Sequence, residues 1–180
     1  MNVSAGSGVT HVSTPRPSSP WSRYLLFALC ASLYLLPFMG VMRIETDEGE
    51  LLSGAVRIVH GQVFARDFIE VMGPGTFYWL AAFFKLFGVT FLASRICLFV
   101  SSLGTALSIY FLSCRVCPRY RTLPALILAG TYGGAFWPGT SHHVDSNFFA
   151  LLAIACMVLW QARPRNSLLI AAGALAGMTA

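Results

Sequence analysis

The sequence predicts an all-α protein: a polytopic transmembrane helix bundle with short amphipathic juxtamembrane helices in its first external loop. Three observations carry that expectation. Hydrophobic residues make up 56 % of the 180-residue chain and charged ones 11 %, against about 25 % charged in an ordinary soluble domain. Several apolar runs approach the roughly 20 residues that a helix needs to cross a bilayer core. The charges also segregate: of seven acids, six lie between Glu45 and Glu70, whereas arginines recur in the polar breaks between apolar runs.

Composition excludes some classes. A net charge of +5 invites a nucleic-acid partner, but the arginines are scattered rather than gathered into one patch, so none is expected. Cys30, Cys97 and Cys156 lie inside apolar runs, where cysteine acts as a small hydrophobe. Cys114 and Cys117 form a single C-x-x-C without the second pair or redox context that a metal or disulfide role needs.

Residues 1–23 are rich in Ser, Thr, Gly and Pro at the start and read as a disordered cytoplasmic tail. The run 24–42 is apolar for nineteen residues. It is preceded by Arg16 and Arg23 and lacks a small-residue cleavage pattern, so it reads as a first span rather than a signal peptide. Further spans are expected at about 91–114, 123–137, 145–160 and 168–180. The last runs to the end of the sequence without a polar flank, so this reading expects more spans to follow.

The external loop, residues 43–90, has structure of its own. Thr46 is read as an N-cap, with Asp47, Glu48 and Glu50 in the first turn, where a helix favours negative charge. Leu51, Leu52, Ala55, Val56, Ile58 and Val59 share one side at 100° per residue; Glu50, Ser53, Arg57 and His60 share the other. Gly61 is a natural stop. Such a helix suits the membrane interface. The stretch 73–88 opens Gly-Pro-Gly and is apolar and aromatic, but short for a span.

Positive charge tests this topology. Arg16, Arg23, Arg115, Arg119, Arg121, Arg163 and Arg165 fall in the proposed cytoplasmic segments, with no acid among them. The positive-inside rule then puts the N-terminus in the cytoplasm. All seven acids collect on the extracytoplasmic face.

Several residues are candidates for chemistry. Asp47 and Glu48, fixed at a helix start near the bilayer, fit a general base acting on a membrane-borne substrate; the plainer reading is ordinary first-turn acids. Asp67 and Glu70 either extend the acidic cluster or solvate the loop. Arg57 and Arg95 suit a phosphate by guanidinium geometry, although Arg95, at a span's edge, could simply snorkel. His142, His143 and Asp145 lie in a polar loop, 138–145. Adjacent histidines on a loop rarely converge on one ion without further ligands, so a divalent metal is the lesser reading and no cofactor is required. Asp145 opens a span, where a buried carboxylate is a functional hypothesis. Gly173 and Gly177 form a G-x-x-x-G packing motif.

The order of these pieces resembles a known family. It consists of Asp47-Glu48 after the first span, then Ala55-Val56-Arg57-Ile58 to Gly61, and an aromatic before Asp-Phe (Phe64 to Phe68). Gly73-Pro74 to Tyr78, Leu86-Phe87-Gly88, Arg95 and an aspartate opening a later span (Asp145) follow. Residues 24–180 thereby resemble the N-terminal part of GT-C-fold membrane glycosyltransferases. These include protein O-mannosyltransferases, aminoarabinose transferases of lipid A, and the dolichyl-phosphate-mannose-protein mannosyltransferase-like family.

The resemblance implies an inverting enzyme of the cell envelope, sited in the inner or plasma membrane. It would transfer a sugar from a polyprenyl-phosphate-linked donor to a lipid, glycan or protein acceptor. It implies Asp47 as the base, with Glu48, Glu70 and Asp145 as supporting acids. Arg57 and Arg95 are proposed for the donor phosphate on chemical grounds, and Asp67 and His143 join the substrate-binding candidates. The rivals are a fragment of a transporter or flippase, which predicts charges in mid-span, and a non-catalytic membrane scaffold.

Overall fold

The structure is a computed structural model that describes residues 20–40, 46–116, 118–120, 122–124, 126 and 139–179. The expectations for the N-terminal tail, Arg43, Glu45, Cys117, Arg121 and nearly all of the span at 123–137 lie outside these residues. Among the described residues the protein is an all-α bundle of six α-helices: α1 (Pro20–Leu35), α2 (Thr46–Val59), α3 (Pro74–Phe87), α4 (Phe91–Val116), α5 (His142–Ala162) and α6 (Asn166–Gly177).

Among the described residues, three stretches are long and apolar enough to cross a membrane: Trp21–Gly40, Phe91–Val116 and His142–Ala162. In the first, α1 gives way to a 3₁₀ turn, Leu36–Gly40. Pro37 lacks the N–H that would continue the α-helical ladder, and the chain tightens there. α1 packs on α4 through the Tyr24 and Phe27 rings against Tyr110, and its Ala31 and Leu35 are buried. Its outer face stays bare: Trp21 is 75 % and Leu25 71 % exposed. A continuous apolar face of this kind is what a bilayer covers.

α2 forms where its amphipathic pattern predicts. Asp47 and Glu48 occupy its first turn and Arg57 its last, each on the favourable side of the helix dipole. The stop is a Schellman turn: Gln62 N–H reaches Arg57 O and Gly61 N–H reaches Ile58 O, both at 3.0 Å. Gly61 takes φ +91°, which a side chain would resist.

The apolar face of α2 is not left to the membrane interface as its amphipathicity suggests. Leu51, Ala55 and Ile58 are buried with Phe77, Leu80 and Phe84 of α3 and Ala93 and Cys97 of α4. α3 supplies a second apolar surface, and mutual burial removes more area from water than a half-immersed helix would. At 14 residues, α3 is about 21 Å long, short of the roughly 30 Å core.

α4 and α5 run in the same direction. Going along both, Ser94 meets Thr140, Ser101 meets Asp145 and Gly104 meets Phe148. α5 also begins earlier than the sequence suggests. Ser141, extended and hydrogen-bonded to His143 N–H at 3.3 Å, caps a helix that starts at His142. His142, His143 and Asp145 therefore sit on the first turns of a helix, correcting the expectation of a polar loop.

The glycines of α2 offer a paired test. A Cβ on Gly54 would come within 2.5 Å of two carbons of the buried Phe77 ring, whereas one on Gly49 meets nothing within 4 Å. Gly54→Ala should destabilise the fold by about 1–3 kcal/mol. Gly49→Ala should stabilise it by up to about 1 kcal/mol, through helix propensity alone. Thermal unfolding in detergent reads both, and the same sign for the two would contradict the α2–α3 packing.

Candidate functional site

Adjacent residues on a helix point about 100° apart, so Asp47 and Glu48 cannot share an environment. Glu48 turns inward and is 5 % exposed; Asp47 stays exposed. The Arg95 guanidinium donates to Glu48 through Nη1 at 2.8 Å and Nη2 at 3.4 Å. The Thr140 backbone N–H donates to the same carboxylate at 3.1 Å. One carboxylate thus joins α2, α4 and the segment entering α5.

Arg95 is 1 % exposed and packs over the Phe91 ring, 4.2 Å from its centroid. It does not run out to a headgroup layer, because a buried carboxylate is in hydrogen-bond range and snorkelling would leave that charge unpaired. Its Nε has no hydrogen-bond partner among the described residues.

A second buried carboxylate lies deeper along α4. Asp145, 1 % exposed, accepts from Ser101 Oγ at 2.6 Å. Ser101 in turn accepts from Trp79 Nε1 at 3.1 Å, so the chain of donors runs from α3 through α4 to α5. Asp145 Oδ2 is buried and has no hydrogen-bond partner among the described residues. Ser101 lies six residues beyond Arg95, about 9 Å along the helix, so the two carboxylates form two layers rather than one cluster.

His142 is the first residue of α5. It is half-buried, its Nδ1 is unpartnered among the described residues, and its ring lies 3.9 Å from that of His143. Asp47 is within Coulombic reach of it. The sequence reading singles out His143, but His143 is exposed, and it is the neighbouring His142 that feels the Asp47 charge. Thr140, Ser101 and Trp79 were also passed over. The signal for Ser101 was present: Ser94, Ser101, Thr105 and Ser108 recur at three- and four-residue multiples on an apolar helix, and all are buried.

The remaining candidates do not join this group. Arg57 lies ten residues after Asp47, about 15 Å along α2, and stacks over the Phe68 ring at 5.4 Å. Asp67 belongs to the following turn, where its carboxylate accepts from Val63 N–H at 2.7 Å and pairs with Arg66 at 2.7 Å. These bonds hold a turn in which Ala65 takes φ +63°. Glu70 is half-buried in the loop leading to α3. Among the described residues no three His, Cys, Asp or Glu side chains converge where a metal could sit.

The Arg66 guanidinium, and after it the Val63 N–H, hold the Asp67 carboxyl below its ordinary range. On acidification the unfolded chain therefore takes up this proton first. The support from Asp67 is complete above the unfolded value of about 4 and is lost as pH falls through the lower folded value. Amide exchange at Val63, corrected for intrinsic rates, should quicken as pH falls into that range. Asp67→Ala should show the fast exchange already at neutral pH; unchanged protection in that variant would contradict the assignment.

No protein-family model, curated protein or solved structure matches the chain, so the functional reading rests on the residues themselves.

Proposed function

We propose that the chain is, or forms part of, a multi-pass membrane glycosyltransferase of the GT-C kind. It moves a sugar from a polyprenyl-phosphate-linked donor to an extracytoplasmic acceptor. The observation that carries this reading is the division of labour between neighbouring carboxylates. Arg95 and Thr140 hold Glu48 inside, and that fixes the direction in which Asp47 leaves the helix. The ordered series of motifs from Asp47 to Asp145 adds the resemblance to the family.

The parallel course of α4 and α5 supports the orientation. Their first halves carry Arg95, paired to Glu48, and Asp145; their far ends lead into Arg115, Arg119, Arg163 and Arg165 with no acid nearby. The positive-inside rule makes the arginine end cytoplasmic, and Asp47 then faces the other side.

In the reaction, Asp47 takes the proton from the acceptor hydroxyl. The acceptor oxygen forms a bond to the anomeric carbon as the bond from that carbon to the phosphate oxygen breaks. The polyprenyl phosphate leaves with the electron pair, and the anomeric configuration inverts. Asp47 sits in the first turn of α2, the end of a helix that favours an acidic side chain. Glu48 acts through position, not by touching substrate. The half-buried His142 lies where it can adjust the field at Asp47.

A second reading, a transporter or flippase, is favoured by one observation: Asp145 Oδ2, which has no hydrogen-bond partner among the described residues, is buried on α5 at the level of Ser101, about ten residues into α4. Intramembrane carboxylates of that kind mark ion or substrate paths.

Membranes carrying the gene product should transfer sugar from a polyprenyl-phosphate donor, and Asp47→Asn should lower turnover by about 10²–10⁴-fold at equal expression. Equal turnover in both would remove Asp47 from the mechanism. Substrate movement without transfer would replace the enzyme by the transporter.

A further inference from the structure

α5 and α6 leave a groove between them at the arginine-bearing end of the bundle, with a volume of about 570 Å³. Its lining is aliphatic: Ala153 and Met157 on one side, Leu169, Gly173 and Ala176 on the other, with Gln161 as the polar residue nearest the connecting turn. A Cβ added at Gly173 would meet nothing within 4 Å. Among the described residues, nothing occupies the space beside Gly173 in this groove. From Gln161 to Ala153 the groove extends about 12 Å.

The turn at its mouth is cationic and shaped. Arg163 (φ −146°, ψ 93°) and Arg165 (φ −137°, ψ 126°) are both extended and flank Pro164. In extended backbone residues i and i+2 leave on the same side, so the two guanidinium groups project together. Both are exposed, and from Ser146 onward the sequence contains these two arginines and no acid. α5 is long enough to cross a bilayer, so its C-terminal end falls at the level of the headgroups.

We infer that this groove binds one acyl chain of an anionic phospholipid, whose headgroup phosphate is taken by Arg163 and Arg165. An aliphatic slot continuous with the lipid-facing surface accepts a hydrocarbon chain, and paired guanidinium forks match phosphate oxygens. Basic pockets between membrane helices recognise anionic headgroups by the same chemistry. A second copy of the chain docking on Gly173 and Gly177 would fill the slot but would leave the paired arginines without a complement. The inference is independent of the catalytic reading, since the groove lies at the end of α5 opposite Asp145.

Native mass spectrometry of the full chain released from detergent tests it, with phosphatidylglycerol and phosphatidylcholine supplied in equal amounts. The wild type should retain one phosphatidylglycerol with roughly tenfold preference or more. Arg163→Gln with Arg165→Gln should bring the preference close to one while still retaining lipid. Gly173→Leu should lose bound lipid of either kind with unchanged helix content, and Ala176→Leu reads the same groove one turn away. Undiminished preference in the double arginine variant would overturn the inference. So would lipid retention in both leucine variants, or a wild-type dimer that Gly173→Leu dissociates.

Discussion

A carboxylate and a guanidinium withdrawn from water are tolerable only if each neutralises the other and their remaining hydrogen-bonding capacity is met. Glu48 and Arg95 satisfy that condition almost fully, and the requirement reaches across the chain. Arg95 sits one turn into α4, Glu48 at the start of α2, and the third donor is the backbone of Thr140 just before α5. Neither α2 nor α4 can shift by a turn without stranding a charge, and a shift of the segment entering α5 would take a donor from Glu48. The pair therefore specifies register more than it adds stability, since such pairs often contribute little beyond an apolar replacement.

Two consequences follow from that register. The amphipathic α2 is brought against α3 and α4, where its apolar stripe closes a core around Phe77 and Leu80. The start of α5 is also aligned with the first half of α4, which lets Asp145 reach Ser101, with Trp79 completing the chain of donors. Small side chains make the contact possible: Phe148 lies over Gly104, and close helix approach at small residues is the usual means of packing in a bilayer. Polar groups thus occupy two buried layers, while the outer faces of α1 stay apolar.

Much of this architecture was legible because it depends on local pattern. The 3.6-residue periodicity of 46–59 and the stop at Gly61 needed no tertiary information. The long apolar runs that became α1, α4 and α5 were equally plain. What could not be read was pairing. Glu48 and Arg95 are 47 residues apart, and nothing local distinguishes a snorkelling arginine from one buried on a carboxylate. The start of α5 was missed because the histidine pair and its glycine-rich approach looked like a loop. The cap at Ser141 and the bond from Thr140 to Glu48 become visible in the folded chain alone. Arg57, Asp67 and Glu70 were grouped with Asp47 by proximity in sequence, yet a helix carries Arg57 and the Asp67 turn to its far end.

The central claim is that the Glu48–Arg95 pair sets the geometry in which Asp47 is presented. A double-mutant cycle with Glu48→Gln, Arg95→Met and their combination tests it most directly, with unfolding free energy measured in one detergent. The account predicts that each single change costs about 3–5 kcal/mol, because each strands a buried partner. The double variant should lose much less than their sum, giving a coupling of about 2 kcal/mol or more. Additive single changes, or single changes that cost almost nothing, would contradict it.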